Sequence, residues 1–448
     1  MTALFRLLYV FYRVSSRIRY WAKRRFTRTG RALLAVLLLT AMMGVDTDTT
    51  VAYQAFALVA CLLVVAAGFV WFFRARFAAS RLLPRFGTAG QPLRYSVELT
   101  NLNSRIQSGL TLFADLADPR PSFADWKAVQ LAEQKTARSF RMSQRFGARP
   151  FKRVAAGETL IPALPPGKCV TMQAELTPLQ RGLLRFEGLT VARPDPLGLF
   201  HSFQRIQLSQ SVLILPKRYP LPAIALPGVS KHQEGGVALA SSVGQSDEFV
   251  ALRDYRHGDP MRHIHWRSWA KVGKPVVKEF EDEFFVRHAL VLDTFTEHPR
   301  SEVFEEAVSV AASFACTIPT QESLLDLLFI GTQSYCFTAG RGLAYGDQML
   351  EVLASVRACC DRPFTDLEHL VMDHLDSVSG CVCVLLAWDE PRREFVRKLL
   401  LLGLPVLVFV VTPSGDNREL EPGPLRDHPA SFRVLQAGRI QEGLAKLK

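Results

Sequence analysis

Two uncharged apolar runs lie near the amino-terminal end of this 448-residue chain: fourteen residues from Ala32 to Val45 and twenty-three from Val51 to Phe73. A helix needs about 20 apolar residues to cross a bilayer, and the second run meets that length. The first approaches it if Thr27, Thr29 and Gly30 extend the helix and Arg28 and Arg31 snorkel to the interface. Only Asp46–Thr50 separates the two, so residues 32–73 predict a two-helix transmembrane hairpin. Beyond it the period becomes two. Leu93, Tyr95, Val97 and Leu99 alternate with Arg94, Ser96, Glu98 and Thr100, the pattern of a half-buried strand. Leu110 and Leu112 repeat it, as do Val170, Met172, Ala174 and Leu176, with turns such as Pro165-Pro166-Gly167 between them. Residues 86–215 therefore predict a β-rich, sandwich-like domain, with the basic and aperiodic stretch 127–153 as an insertion or long loop.

Residues 216–246 have linker composition, with Pro220, Pro222, Pro227, Gly235-Gly236 and Ser241-Ser242. After residue 285 the pattern changes again. Val286–Leu292, Leu324–Ile330, Val382–Ala387 and Pro405–Val411 are continuous apolar strands. Between them lie helical patterns at Ser301–Thr317, Gln348–Arg357, Leu367–Val378 and Arg392–Leu402, the last stopped by Gly403. Apolar strands alternating with amphipathic helices predict a parallel sheet covered on both faces, a doubly wound α/β domain over residues 286–448. The chain as a whole thus reads as α/β.

Composition limits the options. Hydrophobic residues make up 48% and charged residues 21%, which excludes wholesale disorder. The net charge of +12 would suit nucleic acid, but residues 1–85 hold thirteen Lys/Arg against Asp46 and Asp48, while the remainder is nearly neutral. No nucleic-acid partner is expected. Nine basic residues precede the first apolar run, Arg74, Arg76, Arg81 and Arg85 follow the second, and the acidic turn has none. The positive-inside rule then places both flanks, and everything after residue 85, in the cytoplasm. A thirty-one-residue basic segment with no small-x-small cleavage site is unlike a signal peptide. Within the leader 1–31, Arg6, Arg13, Arg17 and Arg24 share one helical face, and Leu4, Leu7, Leu8, Phe11, Val14, Ile18 and Trp21 cover much of the rest. Two readings stand: a helix lying on an anionic membrane surface, or a loose basic tail. Eight cysteines without a C-x-x-C pair give no zinc spacing and read as free buried thiols of a reducing compartment.

The most distinctive stretch is Asp247-Glu248-Phe249-Val250-Ala251-Leu252-Arg253-Asp254-Tyr255-Arg256-His257-Gly258-Asp259. It runs through Pro260-Met261-Arg262 into His263-Ile264-His265-Trp266-Arg267-Ser268-Trp269-Ala270-Lys271. It resembles the hallmark of the DUF58 family, in which E-F-x-x-L-R-x-Y-x-x-G-D leads into I-x-W; Ser268-Trp269 stands where a small pair is usual. Arg181-Gly182 and Asp195-Pro196-Leu197-Gly198-Leu199-Phe200 resemble blocks upstream of that hallmark, so the resemblance covers about residues 80–300. It implies a bacterial inner-membrane protein with an N-terminal anchor, a β-rich middle and a von Willebrand factor A-like end. It also implies association with MoxR-type AAA+ ATPases and transglutaminase-like membrane proteins, and it brings no enzymatic activity or cofactor. Metal-binding von Willebrand A domains use D-x-S-x-S after the first strand. Here Asp293-Thr294-Phe295-Thr296-Glu297 lacks both serines, although Asp389 at another strand end offers a second carboxylate.

Residues 247–285, the hallmark segment, are rich in both charges, and three readings follow. In the structural one, Arg253, Arg262 and Arg267 fork onto Asp254, Asp259 or Glu248, Trp266 and Phe280 anchor the segment by burial, and Gly258-Asp259 forms a turn between strands. In the second, Arg253, Tyr255, Gly258, Asp259, Arg262 and Trp266 form a partner-binding surface with Trp269 as a further anchor, since Arg, Tyr and Trp make good anchors. The third is a metal-dependent hydrolase using His257, Asp259, His263 and His265, with the two last histidines sharing a strand face. No H-E-x-x-H, G-x-S-x-G or P-loop accompanies them. The expected function is a non-enzymatic membrane-anchored adaptor or assembly factor acting with a MoxR-type ATPase.

Overall fold

Helices α1 (Thr2–Arg25), α2 (Arg28–Met43) and α3 (Thr50–Trp71) open the chain. The computed structural model describes residues 2–43, 50–71, 75–118, 120–124, 126–127, 130, 153–222, 231–232, 249–257, 259, 261–280, 284–296, 301–317, 323–340, 346–375, 378–415 and 420–446. The chain divides into two compact units, Met1–Lys217 and Arg218–Lys448.

In the first unit the leader is a helix, not a loose tail. One side of α1 packs on the segment around residues 121–126: the rings of Phe5, Tyr9 and Tyr12 surround the buried Trp126, and the Tyr9 hydroxyl donates to the Pro121 carbonyl at 2.9 Å. Arg24 closes the last turn on Asp115 at 2.7 Å. Leu4, Leu7, Leu8, Phe11, Val14, Ile18 and Trp21 remain exposed. Between α1 and α2, Thr27 ends one helix and starts the next. Its Oγ1 accepts the Gly30 N–H at 3.0 Å, an N-cap that sets the start of α2 at Arg28. With sixteen residues, α2 is about 24 Å long at 1.5 Å per residue, short of a hydrocarbon core of about 30 Å. Among the described residues α3 is the one helix long and apolar enough to cross a membrane, through Tyr53–Val70, of which only 17% is buried. The Asp46–Asp48 turn lies outside the described residues.

Nine strands follow: β1 (Phe77–Leu82), β2 (Phe86–Thr88), β3 (Leu93–Asn101), β4 (Leu110–Leu116), β5 (Val154–Ala156), β6 (Thr159–Ile161), β7 (Cys169–Pro178), β8 (Gly182–Pro194) and β9 (His201–Leu215). They make two sheets, β1-β3-β7-β5 and β2-β9-β8-β4-β6. Leu93, Tyr95, Val97 and Leu99 of β3 meet Leu112, Phe186, Leu189, Val191 and Ile214 in one core. The alternation read from sequence therefore sets which face is buried. The β structure begins at Phe77 rather than at 86, and this corrects the reading of Arg81 as a flanking charge. Arg81 is buried, its guanidinium 4.3 Å from the Phe186 ring centroid and bonded to Gln210 Oε1 at 2.9 Å and the Leu208 carbonyl at 2.7 Å. Burial lowers its pKa, and Tyr95 and Asp115 oppose that fall. Most of the 127–153 stretch lies outside the described residues.

In the second unit β10 (Lys231–His232) precedes a two-stranded ribbon, β11 (Phe249–Asp254) and β12 (Val276–Phe280), interrupted by helix α4 (Trp266–Val272). The sheet that follows uses β13 (Phe284–Leu292), β14 (Ser323–Ile330), β15 (Ser334–Ala339), β16 (Gly380–Leu385), β17 (Val406–Thr412) and β18 (Phe432–Gln436). Their order is β15-β14-β13-β16-β17-β18, parallel except for β15 against β14. Helices α5 (Glu302–Thr317), α6 (Gly346–Ser355), α7 (Thr365–Met372), α8 (Glu390–Leu401) and α9 (Ile440–Leu444) complete it. Phe314 of α5 packs on Phe409, while Phe395 and Leu399 of α8 share a core with Val408 and Val410. Alternate residues of β17 thus serve opposite faces, as pleating requires. The strands are not wholly apolar as expected. Arg287 of β13 is buried and donates to Asp326 of β14 at 2.5 and 3.1 Å, with Thr338 of β15 donating to the same carboxylate at 2.6 Å.

Tyr219, at the start of the stretch read as linker, is buried against α5. Its hydroxyl donates to Glu306 at 2.5 Å and its N–H to Ser313 Oγ at 2.8 Å. Residues 223–230 and 233–248 lie outside the described residues. All eight cysteines are free, but only Cys359, Cys381 and Cys383 are buried, which corrects the expectation that all would be.

Candidate functional site

The hallmark forms an excursion, residues 255–275, between β11 and β12. Arg253, next to the end of β11, donates through both terminal nitrogens to Asp259, each at 2.8 Å. Asp259 Oδ2 also accepts the Arg256 N–H at 2.8 Å, while its own N–H returns to the Arg256 carbonyl at 3.0 Å. The Arg253 fork and the Arg256 N–H hold the Asp259 carboxyl at about 2, well below the ordinary range. The turn expected around Asp259 is therefore present, but it opens the excursion rather than joining two strands. Gly258 itself lies outside the described residues.

The base of the excursion is apolar. Ile264, Val276 and Val277 are buried, Ile264 bridges Val277, and the Tyr255 and His265 N–H groups donate to Pro275 and Val276 carbonyls at 2.9 and 2.8 Å. Tyr255 is half-buried beside them. Burial expected for Trp266 falls instead on Ile264. In a strand the two would share a face; here α4 starts at Trp266 and turns its ring outward. Trp266 is 64% exposed and stacks on Trp269, centroids 5.2 Å apart and planes 16° from parallel. Met261 and Val272 are exposed as well. Gly273 ends α4 in the left-handed region at φ 70°, its N–H donating to Trp269 O at 2.9 Å. The side chains of Arg262 and Phe280 lie outside the description.

The histidines do not share a strand face. His263 ends a 3-10 turn, Met261–His263, His265 precedes α4 with Nδ1 2.6 Å from Ser268 Oγ, and His257 is exposed. Among the described residues no three of His, Cys, Asp and Glu come together to hold a metal.

A second constellation sits where the sheet order reverses, between the ends of β13 and β16, the place where open α/β sheets form their crevice. Asp293 is fully buried; its Oδ1 accepts the Phe295 N–H at 2.9 Å and its Oδ2 the Leu386 N–H at 3.0 Å. Arg392 of α8 donates Nε to Asp293 at 2.6 Å and Nη1 to Asp389 at 2.6 Å, and lies 4.8 Å from the Phe364 ring centroid. Asp389 also caps α8 through the Arg392 N–H. Asp293 and Asp389, the incomplete carboxylate set read from the sequence, are therefore joined by a guanidinium, and with Phe295 at the serine position they do not fit a divalent cation.

The Asp195–Phe200 block has a clear structural task in the first unit. Asp195 Oδ1 accepts the N–H of Leu199 at 2.6 Å and of Phe200 at 2.7 Å, Oδ2 that of Leu197 at 3.2 Å, and Gly198 adopts φ 67°. The turn thrusts Leu199 and Phe200 into a cluster with Val59, Leu63 and Ala66 of α3 and with Leu33, Leu34 and Leu37 of α2. Leu199 O accepts the Thr27 N–H at 3.0 Å. Gly30 lies so close to Leu199 O that a Cβ there would stand 2.0 Å away. This loop fastens the apolar helices to the sandwich.

These features define a mixed α/β protein whose β unit carries an apolar, membrane-length helix and whose second unit bears an exposed aromatic excursion. Residues 251–379 match the sequence model of the family described as Protein of unknown function DUF58. The match starts inside β11, so the upstream blocks lie outside it. The Uncharacterized protein YeaD of Bacillus subtilis (strain 168) is 29% identical over 198 residues, 43% of this chain and 47% of that protein. The chain thus spans about half the length of this curated relative. Among solved structures, the CARDB domain of PF1109 from Pyrococcus furiosus, in complex with di-metal ions, is 14% identical, covering 32% of this chain and 89% of its own, with a TM-score of 0.16. Salmonella alpha-2-macroglobulin reacted with methylamine is 15% identical, covering 35% and 8%, with a TM-score of 0.19. Scores this low carry no argument.

Proposed function

We propose that this chain is a non-enzymatic, membrane-anchored adaptor that docks a protein partner on the excursion between β11 and β12. The observation that carries this reading is the exposed Trp266 ring stacked on the half-buried Trp269, flanked by exposed Met261 and Val272 and set on a base fixed by the Arg253–Asp259 fork. A large aromatic side chain left in solvent beside a stacking partner is what a hot spot requires, because it offers much contact area for few rotatable bonds. The resemblance to DUF58 proteins points to a MoxR-type AAA+ ATPase as partner, with a transglutaminase-like membrane protein beside it, in bacterial envelope or complex maturation. The strand order and the antiparallel edge strand β15 support a von Willebrand A-like reading of the second unit. In this account α3 crosses the bacterial inner membrane and α2 packs against it as the other arm of a hairpin. The Asp46–Asp48 turn then lies outside and both arginine-rich flanks in the cytoplasm.

The test is recovery of complexes by affinity purification after mild crosslinking in native membranes. Trp266→Ala should cost about 2 kcal/mol or more of docking energy, on the order of thirtyfold in recovered ATPase, with membrane insertion unchanged. Asp259→Ala should act in the same direction by releasing the base of the excursion. Wild-type recovery from both variants would sink the proposal.

A further inference from the structure

We propose that the arginine-lined cleft between α1 and the β-sandwich binds the phosphate of an acidic phospholipid, with the exposed apolar stripe of α1 sunk in the adjoining acyl region. The inference rests on the reading that α3 crosses a bilayer.

Two observations made on different side chains converge. The first is the stripe. At 100° per residue, its exposed apolar side chains fall within about 160° of the helix circumference, from Val10 through Ile18 to Leu8. The ends of that arc are not incidental, since Leu7 and Phe11 near its middle are 68% and 72% exposed. The opposite side of the helix is occupied by Trp126 and its aromatic neighbours, so α1 presents two apolar faces, of which the described residues of the first unit cover one. The uncovered face continues, across the two-residue break at Phe26-Thr27, to α2 and α3. Phe26 packs with Phe200 in the same cluster that holds Val59 and Leu63 of α3. A face joined to a membrane-length helix and flanked by arginines is suited to the acyl–headgroup boundary.

The second observation is the cleft. A cavity of about 530 Å³ opens at the edge of the stripe, lined by Val14 and by Arg13, Arg17, Arg120 and Arg205, with Asp118 and Glu187. Arg120 pairs with Asp118 at 3.2 Å and Arg205 leans toward Asp115 at 3.8 Å. With four arginines against Asp118 and Glu187, the lining of the cleft carries an excess of positive charge. Guanidinium forks match phosphate oxygens in geometry as well as charge. Val14 belongs to both the stripe and the cavity wall. A lipid with its tails along the stripe would thus have its phosphate at the height of Arg13 and Arg17.

The test is native mass spectrometry of the detergent-purified full chain titrated with phosphatidylglycerol or phosphatidylcholine, for wild type, Arg13→Gln/Arg17→Gln and Arg94→Gln. Both cleft arginines are exposed, and the Arg24–Asp115 pair and Trp126 cluster are untouched in the double variant. Wild type and Arg94→Gln should retain phosphatidylglycerol over phosphatidylcholine, and the double variant should lose at least tenfold of that preference. Equal retention of both lipids by wild type, or an unchanged preference in the double variant, would overturn the proposal. Displacement of the lipid by inorganic phosphate at equal concentration would assign the cleft to a free anion and also overturn it. The readout needs no protein partner, so it fails or succeeds independently of the adaptor reading.

Discussion

At the residue scale, the hallmark is a set of charges used to fix backbone. Asp259 accepts three hydrogen bonds, two from Arg253 and one from the Arg256 N–H, and these hold its carboxyl at about 2. A carboxylate depressed on folding contributes stability that is present above its unfolded pKa of about 4 and is lost as pH falls toward the folded value. The excursion should therefore loosen between about pH 4 and 2. Carboxyl NMR titration of the full chain should show Asp259 inflecting near 2, and Arg253→Gln should return it toward the ordinary range. An ordinary inflection in the wild type would contradict the fork. Arg392 makes the complementary case in the crevice of the sheet. Asp293→Ala leaves the buried guanidinium without its main partner, a change of the kind that costs about 3–5 kcal/mol. Urea unfolding monitored in the second unit checks this, and a loss under about 1 kcal/mol would show the pair to be dispensable.

At the element scale, the Asp195–Phe200 turn decides whether the apolar helices stay attached to the sandwich. Asp195→Ala removes the acceptor for three N–H groups, and Gly30→Ala drives a Cβ into Leu199 O. Either should raise amide hydrogen exchange at Leu199 and Phe200 by at least about tenfold, the equivalent of 1.4 kcal/mol. Unchanged protection would remove the turn from this role. Much of the element order was legible because periodicity carried it: β3 shows its Leu93–Leu99 alternation, and α8 shows its stop at Gly403, which adopts φ 73°. Other parts were hidden for physical reasons. β1 carries a buried arginine, which sequence reads as a flank charge, because the cation finds Phe186 and carbonyls only after folding. β15 is polar along one side as an edge strand, and although Tyr335, Phe337 and Ala339 alternate with Ser334, Cys336 and Thr338, six residues carry too short a period to stand out. α4 was missed because a seven-residue helix has too little period to read, although Gly273 marked its end. The Asp293–Arg392 bond joins residues 99 apart in the chain, a distance over which no spacing rule operates.

At the scale of the whole molecule, the charge and apolar surfaces are divided among different tasks. The basic excess belongs to the first 85 residues, where arginines either flank the apolar helices or are drawn into the sandwich, as Arg24 and Arg81 are. The second unit is acidic, with twenty-four Lys/Arg against thirty-one Asp/Glu; its buried ion pairs lie within the sheet and between the sheet and α8, and among its described residues the exposed aromatic is Trp266 of the excursion. That separation is what an anchored docking protein needs: one unit suited to lipid, another to a partner. The most direct test places a photo-crosslinking benzoylphenylalanine at position 266 of the full chain and, as a control, at exposed Arg94 of the sandwich. Irradiation of native membranes should give a protein adduct from position 266, identified as an AAA+ ATPase by mass spectrometry, and none from position 94. No protein adduct at 266, or the same adducts in equal yield from both positions, would contradict the account.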